Sequence, residues 1–274
     1  MPEAELLVIA GHDPSYGEQD GVLQGAGIDA DREAAEAFGV QALTVVTAWT
    51  EQAGGRVESL GPVVPAIWAR EALLLLSERR QSVRAIKFGL LPSEAAVRMA
   101  SDVVRRARQL IPKLWVVVDP VLAASGGEEL MSRAARRALA EDLMCQGVVL
   151  TPNQPEARAL LAGADPAHAD EVPRLGPERL AARLFHNMAG RLEERRALVL
   201  KGGHGIEDPV CDWIVEADGQ AKAHRHPRRK GASLHGSGCR HASALAANLC
   251  LGRPVSVAAK SAGEWLAERF QALP

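Results

Sequence analysis

Apolar residues fall into six short runs that are typical of strands buried on both faces of a parallel sheet. The runs occupy residues 6–10, 42–47, 85–88, 114–119, 147–151 and 197–201. Stretches rich in Ala, Leu, Glu and Arg separate them and predict helices at residues 31–38, 64–80, 94–110, 132–143, 156–162 and 178–195. This alternation predicts an α/β fold in which helices cover both faces of a mostly parallel sheet.

The pattern changes after the sixth strand. Residues 210–216 and 221–226 flank the pair Asp218-Gly219, which is a strong signal for a β-hairpin. Two further helices are predicted at residues 238–251 and 255–271. No internal repeat or low-complexity linker divides the chain, so we expect a single domain over residues 1–274.

Two stretches are predicted to be loops. Residues 162–177 are rich in Ala, Asp, His and Pro, and helix and strand patterns resume after them. Residues 15–27 contain four glycines among polar residues and follow the first strand directly. The second stretch therefore predicts a glycine-rich loop at the end of a strand where ligands bind in such folds.

The charge and aromatic content exclude some classes of partner. The chain has 32 Lys and Arg residues against 34 Asp and Glu residues, and aromatic residues make up only 4% of it. A nearly neutral chain has no broad electrostatic grip on nucleic acid or on anionic membranes. Few aromatic side chains are available to stack on single-stranded bases. We therefore expect a small-molecule partner rather than nucleic acid or a membrane.

The cysteine pattern and the first residues of the chain indicate the cellular compartment. None of the four cysteines lies in a Cys-x-x-Cys pair, which argues against a zinc knuckle, a thioredoxin motif or a disulfide framework. Residues 1–5 are acidic and lead directly into an apolar run that is too short for a secretory signal. No apolar segment approaches the length of a membrane span. The expected location is the cytoplasm.

Polar or glycine-rich residues follow each of the six predicted strands. In an open parallel sheet, ligands bind at the carboxyl ends of the strands, although turns are often polar without any function. The segments that follow the strands are Gly11-His12-Asp13, Thr50-Glu51-Gln52, Gly89-Leu90-Leu91, Asp119-Pro120-Val121, Asn153-Gln154-Pro155-Glu156 and Lys201-Gly202-Gly203.

The strongest local signal is His235-Gly236-Ser237-Gly238-Cys239, directly before an Ala-rich helix. Glycines let successive backbone N–H groups converge, and the helix terminus adds positive potential, which suits a transferring phosphoryl group. A thiol at this position typically has a pKa below about 8.5, so Cys239 is predicted to form a thiolate that accepts a proton. The alternative is a tight turn beside a small buried cysteine.

Two further motifs have both a functional and a structural interpretation. Asn153 and Glu156 open a helix after a strand, where a carboxylate either helps to hold Mg²⁺ or simply caps the helix. Lys201 ends an apolar strand and either pairs with a phosphate or caps the edge of the sheet.

Taken in order, these motifs resemble the hydroxymethylpyrimidine/phosphomethylpyrimidine kinases of thiamine biosynthesis, within the ribokinase-like superfamily. The resemblance spans nearly the whole chain, and the cysteine of the last motif is its most specific part because sugar kinases of the superfamily usually carry Asp there. It implies a three-layer α/β/α fold with a central, mostly parallel sheet and a late hairpin.

The resemblance also implies roles for individual residues. Cys239 is the candidate base, and the N–H groups of Gly236, Ser237 and Gly238 cradle the γ-phosphate. The residues implied to bind the acceptor are Gln52, Ala26, Gly27, Leu90, Val121 and Asp31. Those implied on the nucleotide side are Asn153, Lys201, Gly203 and Arg240. Mg²⁺ and its waters are organised by Asp119 and Glu156, together with Asn153.

The chain departs from the family pattern at three places. Residues 16–24 interrupt the glycine-rich loop, and Ala123 and Ala124 stand where many relatives have Lys or Arg near the phosphates. After Cys239 the family normally has Thr-Leu, whereas this chain has Arg240-His241. We hypothesise that Arg240 restores the missing charge.

The predicted function is ATP- and Mg²⁺-dependent phosphorylation of 4-amino-5-hydroxymethyl-2-methylpyrimidine and then of its monophosphate, by a homodimer. One alternative is a pyridoxal-type vitamin kinase, which shares the fold and the chemistry. Another is a pyrimidine-binding regulatory protein whose active site has decayed, because residues near the phosphates depart from the family pattern.

Overall fold

A computed structural model describes most of the chain. The described residues are 3–14, 18–19, 22–23, 25–53, 56–124, 126–188, 195–203, 208–228 and 234–271. Within these ranges, no helix is both long enough and apolar enough to cross a bilayer.

Within the described residues, nine strands form one central sheet, and two short strands form a separate ribbon. The ribbon strands are β2 (Glu18–Gln19) and β3 (Val22–Leu23). The sheet contains β1 (Glu5–His12), β4 (Gln41–Ala53), β5 (Arg56–Pro62), β6 (Val83–Phe88), β7 (Trp115–Val118), β8 (Val149–Leu150), β9 (Ala197–Leu200), β10 (Val210–Val215) and β11 (Ala221–His226).

The strand order confirms the predicted mostly parallel sheet. It runs β11-β10-β9-β8-β7-β6-β1-β4-β5. Six adjacent strands of this order are those predicted from the apolar runs: β9, β8, β7, β6, β1 and β4. Neighbours among these six pair in parallel. The late hairpin is confirmed as the antiparallel pair β10–β11. Strand β5 was not predicted. It pairs with the part of β4 that continues beyond the predicted end at residue 47.

Helices cover both faces of the sheet. They are α1 (Ile28–Glu36), α2 (Pro65–Glu78), α3 (Glu94–Leu110), α4 (Arg133–Ala138), α5 (Gln154–Ala164), α6 (Pro177–Asn187), α7 (Ser237–Cys250) and α8 (Val255–Gln271). A π-helical turn continues α4 over Leu139–Leu143. The predicted loop at residues 162–177 contains a kinked 3₁₀ segment, Pro166–Arg174.

Alternate residues of each central strand pack into two separate cores. Leu7 and Ile9 of β1 join the core beneath α2 to α6, whereas Leu6 and Val8 join the core beneath α1, α7 and α8. Side chains alternate between faces along a strand, so a strand buried on both faces is apolar throughout. This packing confirms the three-layer α/β/α fold.

The sheet topology brings the predicted motifs to one edge. Parallel strands end at the same side of the sheet, and the segments after β1, β6, β7, β8 and β9 are those singled out from the sequence. A bridge between Asn153 and Lys201 joins the last two of these ends. Helix α7 begins at the same edge and packs on α1, β6 and β7.

Gly27 holds the loop before α1 against the end of β1. It bridges to His12 with φ +64°, and a Cβ at this position would lie 2.1 Å from the carbonyl oxygen of Gly11. Both the backbone conformation and the close approach therefore require glycine.

Replacing Gly27 should show how much this contact stabilises the fold. Gly27→Ala should destabilise the protein by more than about 2 kcal/mol, because the backbone must shift in addition to being strained. Gly39→Ala is the matched control: Gly39 has φ +70°, but an added Cβ would meet no atom within 4 Å. Urea unfolding should show a clearly smaller loss for the control, and equal losses would contradict the role of the Gly11 contact.

Candidate active site

A cavity of about 670 Å³ opens at the carboxyl edge of the sheet. Its walls come from the segments after β1, β6, β7, β8 and β9, from the hairpin β10–β11 and from the first turn of α7. A concave site of this size suits a small organic ligand.

The glycine turn at the start of α7 forms one wall of the cavity. Gly236 caps the helix in the left-handed region at φ +72°, and Gly236, Ser237, Gly238 and Cys239 all line the cavity. The N–H of Ser237 already donates to the carbonyl of Leu234 at 3.2 Å. Gly238 and Cys239 lie in the first turn, where backbone N–H groups have no acceptor within the helix. These two groups are therefore the ones best placed to bind an anion.

Lys201 lies directly beside this turn. Its Nζ donates to Asp119 Oδ1 at 2.7 Å and lies 3.2 Å from the position that a Cβ on Gly238 would occupy. Burial opposes the charged ammonium, but Asp119 and Glu156 together raise the pKa of Lys201. Lys201 is therefore a positive charge beside the helix terminus at neutral pH.

Asn153 and Glu156 form a reciprocal cap on α5. Asn153 Oδ1 accepts the N–H of Glu156 at 2.8 Å, and Glu156 Oε2 accepts the N–H of Asn153 at 2.8 Å. Both residues also line the cavity, so the structural and the functional interpretation are compatible. Burial, reinforced by the charge of Asp119, raises the pKa of Glu156 to about 7. A cation placed between the carboxylates of Glu156 and Asp119 would relieve their repulsion.

The Cys239 thiol is less acidic than the sequence predicts. Burial raises its pKa to about 11, because desolvation and the carboxylates of Asp31 and Asp119 outweigh the lysines Lys87 and Lys201. The prediction of a lowered pKa at the helix terminus is therefore wrong for the site as it stands. The thiol nevertheless lines the cavity, next to the backbone N–H groups of Gly238 and Cys239.

One part of the cavity wall is apolar. Leu90 packs with Leu130 and Ala48, and Val121 lies against this cluster. Ala26 and Gly27 complete the wall. Such a surface suits the face of a planar ring more than a sugar.

A cluster that the sequence analysis missed borders the cavity beside the hairpin. Asp212 Oδ1 accepts the N–H of Gly202 at 2.7 Å, and its Oδ2 lies 3.3 Å from His226 Nε2 and 3.5 Å from His241 Nε2. Burial works against the carboxylate, but the two imidazoles hold the pKa of Asp212 well below its usual range. Asp212 therefore fixes the turn that follows Lys201.

Comparison with known proteins agrees with this geometry. Residues 23–273 match the family model described as phosphomethylpyrimidine kinase. The chain belongs to the phosphomethylpyrimidine kinase family. Relatives include hydroxymethylpyrimidine/phosphomethylpyrimidine kinases of Haemophilus influenzae (29% identical; 96% of this chain, 89% of the relative) and Escherichia coli (31%; 90% and 83%).

A third relative is longer than this chain. The thiamine biosynthesis bifunctional protein ThiED of Geobacter sulfurreducens is 32% identical over 97% of this chain, which spans only 49% of that protein.

Solved structures show the same fold. The pyridoxal kinase of Staphylococcus aureus superposes with a TM-score of 0.77 at 22% identity, covering 99% of this chain and 89% of that one. The phosphomethylpyrimidine kinase of Clostridium difficile superposes with a TM-score of 0.72 at 22% identity, covering 98% and 100%.

Most of the residues implied by the family resemblance meet in this cavity. They are Cys239, Gly236, Ser237, Gly238, Ala26, Gly27, Leu90, Val121, Asn153, Lys201, Gly203, Asp119 and Glu156. The backbone of Gln52 lies in β4 opposite Val57, but its side chain is outside the described residues, as are residues 16–17, 20–21 and 24.

Asp31 is a correction to the predicted acceptor site. It is fully buried behind the cavity, where its carboxylate accepts from Lys87 Nζ at 2.8 and 2.9 Å and from Ser243 Oγ at 2.8 Å. The sequence signal for this pair is Lys87 itself, because a charge inside a strand buried on both faces needs a buried partner.

Arg240 is the second correction. Its side chain is fully buried, donates from Nε to Glu33 Oε2 at 2.8 Å and from Nη1 to the carbonyls of Gly25 and His235 at 3.2 and 2.5 Å. Arg240 therefore ties the glycine turn to the loop before α1 and does not line the cavity. The charge expected from it near the phosphates is not supplied.

Asp212→Asn should lower stability, because a buried carboxylate that holds Gly202 and two imidazoles becomes neutral. A hydrogen bond to a charged group contributes about 1.5–3 kcal/mol, and we expect a loss of this size in urea unfolding at pH 7. The pKa of Asp212 is lowered on folding, so its stabilisation exists above the unfolded value of about 3.9 and fades as the pH falls below it.

The control for this experiment is Asp218→Asn in the same hairpin. Asp218 is exposed, and its partner Lys222 is exposed too. We expect no measurable change in stability, since exposed ion pairs contribute little. A loss as large as that of Asp212→Asn would contradict the role given to the buried cluster.

Proposed function

We propose that the protein transfers the γ-phosphoryl group of ATP to the hydroxymethyl oxygen of 4-amino-5-hydroxymethyl-2-methylpyrimidine, and then phosphorylates the resulting monophosphate. The observation that carries this proposal is the meeting of an anion-binding helix terminus, a lysine and a thiol with an apolar wall in one cavity. The names of the relatives support the choice of substrate.

The acceptor is proposed to lie on the apolar side of the cavity. Leu90 and Val121 would contact the faces of the pyrimidine ring, with Ala26 and Gly27 at its edge. Gln52 is proposed to hydrogen-bond the aminopyrimidine. This arrangement points the hydroxymethyl group toward the first turn of α7.

Phosphoryl transfer requires positive charge and alignment more than covalent help. The N–H groups of Gly238 and Cys239 and the ammonium of Lys201 would stabilise the charge of the transferring group from adjacent positions. Asn153 and Gly203 are proposed to contact the nucleotide from the strand ends beside Lys201.

The proton of the hydroxymethyl group is proposed to pass to the sulfur of Cys239. Only the thiolate accepts a proton, and a thiol with its pKa raised to about 11 is mostly protonated at neutral pH. The ionised fraction, and with it the rate, is therefore expected to rise with pH from 7 toward 10.

The side chains beside Lys201 fit a magnesium ion shared with the nucleotide. Asp119 and Glu156 would supply oxygen ligands, and Mg²⁺ in such sites is usually held by one or two carboxylates, phosphates and water. When bound, Mg²⁺ would neutralise charge on the phosphates. The homodimer and the cytoplasmic location stay predictions.

ADP release against a small panel tests the proposed function. With ATP and Mg²⁺, we expect turnover with hydroxymethylpyrimidine and its monophosphate, and kcat/KM at least about tenfold lower with pyridoxal. Preference for pyridoxal would replace the proposal with the vitamin-kinase alternative. Pyrimidine binding by calorimetry without ADP release would favour the regulatory alternative.

Cys239→Ser should reduce kcat by about 10²- to 10⁴-fold, the usual contribution of general base catalysis. The KM for ATP should change little, because the side chain acts at the acceptor. Cys145→Ser is the matched control, since Cys145 bonds the carbonyl of Glu141 outside the cavity. A Cys239→Ser enzyme with nearly normal kcat would exclude the thiol as the base.

A further inference from the structure

We propose that Lys87 is a positioning residue for the proposed reaction: its buried ammonium is the resident positive charge against which the sulfur of Cys239 ionises. The catalytic relevance of Lys87 rests on the proposed function, whereas the arrangement of charges around Cys239 is independent of any substrate. Nothing in the motif analysis assigned a role to Lys87.

The position of Lys87 places its ammonium directly behind the cavity wall. The residue lies in β6, in the middle of the sheet, paired with Val8 on one side and Val117 on the other. It is fully buried, and its Nζ lies 2.9 Å from where a Cβ on Gly89 would be. Gly89 lines the cavity, whereas Lys87 does not. The glycine thus leaves room for the ammonium without exposing it to ligand.

Hydrogen bonds tie Lys87 to the face of α7 that carries Cys239. Asp31 Oδ1 accepts from Lys87 Nζ at 2.8 Å and from Ser243 Oγ at 2.8 Å. Ser243 follows Cys239 by four residues, and residues with this spacing share one face of a helix. The Asp31 carboxylate therefore holds the ammonium beside the side of the helix from which the thiol projects.

The charged groups with the largest influence on the thiol come from four different elements. Lys87 of β6 and Lys201 after β9 favour the thiolate, whereas Asp31 of α1 and Asp119 after β7 oppose it. Of the two lysines, Lys87 has the stronger influence. Each lysine is paired with a carboxylate, Lys201 with Asp119 and Lys87 with Asp31. Lys201 is assigned to the phosphates, so Lys87 is the cation that we assign to the sulfur.

The competing explanation is that Lys87 and Asp31 form a buried ion pair with a purely structural role. Buried pairs are often replaceable by neutral side chains, while the removal of one partner alone is strongly destabilising. A test must therefore neutralise both partners and measure the thiol itself.

The experiment measures alkylation of Cys239 by iodoacetamide, followed by mass spectrometry between pH 7 and 10, in the complete protein without ATP or acceptor. In the double variant Lys87→Met/Asp31→Asn, we expect the rate at Cys239 at pH 9 to fall, because the influence of Lys87 on the thiol exceeds the opposing influence of Asp31. A fall of about tenfold would correspond to one unit in the thiol pKa. Alkylation of Cys145 in the same sample is the internal reference and should not change.

Lys87→Arg should retain a rate within about threefold of the original, because the positive charge remains. Ser243→Ala is the matched neutral control and should also keep the rate, since it changes no charge. Unfolding curves establish that each variant is folded. An unchanged rate at Cys239 in the folded double variant would overturn the proposal, as would an equal loss in Lys87→Arg.

These outcomes do not depend on the proposed function. Alkylation reports the sulfur whether or not any member of the substrate panel is phosphorylated. If the panel shows turnover, the double variant should also lower kcat with little change in the KM for ATP, because Lys87 does not line the cavity.

Discussion

The site depends on two lysine–carboxylate pairs that are buried under the first turn of α7. Lys201–Asp119 and Lys87–Asp31 place four buried charges beside the central strands β6 to β9, which are mostly apolar. A buried charge is tolerated only when it is paired and hydrogen-bonded. Each ammonium therefore fixes the position of its carboxylate, on helix α1 for Asp31 and after strand β7 for Asp119. The charged part of the cavity wall is therefore held in place by these ion pairs.

The same constraint separates the two ends of the cavity chemically. Lys201 and the helix terminus lie where phosphate is proposed to bind, while Leu90, Val121 and Leu130 form an apolar part of the wall. This arrangement favours one orientation of a ligand that is anionic at one end and apolar at the other. Orientation of this kind is a large part of what an enzyme contributes to phosphoryl transfer.

Arg240 and His241, which depart from the family pattern after Cys239, contact different parts of the structure. Arg240 anchors the glycine turn to Glu33 and to the loop at Gly25, so it stabilises the geometry of the anion site from behind. His241 faces Asp212 at the hairpin side of the cavity. Neither supplies a charge at Ala123 and Ala124, and Arg136 and Glu129, which also line the cavity, pair with each other.

The sequence by itself determined the six parallel strands and the hairpin, because apolar runs and turn residues report local requirements of the backbone. Its family resemblance identified thirteen residues that line the cavity. It did not reveal β5, the Asp212 cluster, the burial of Asp31 and Arg240, or the raised pKa of Cys239. These features arise from contacts between residues far apart in the chain, such as Asp31 with Lys87 and Ser243. Only the tertiary structure decided them, because desolvation and charge pairing depend on what surrounds a side chain in space rather than on its neighbours in sequence.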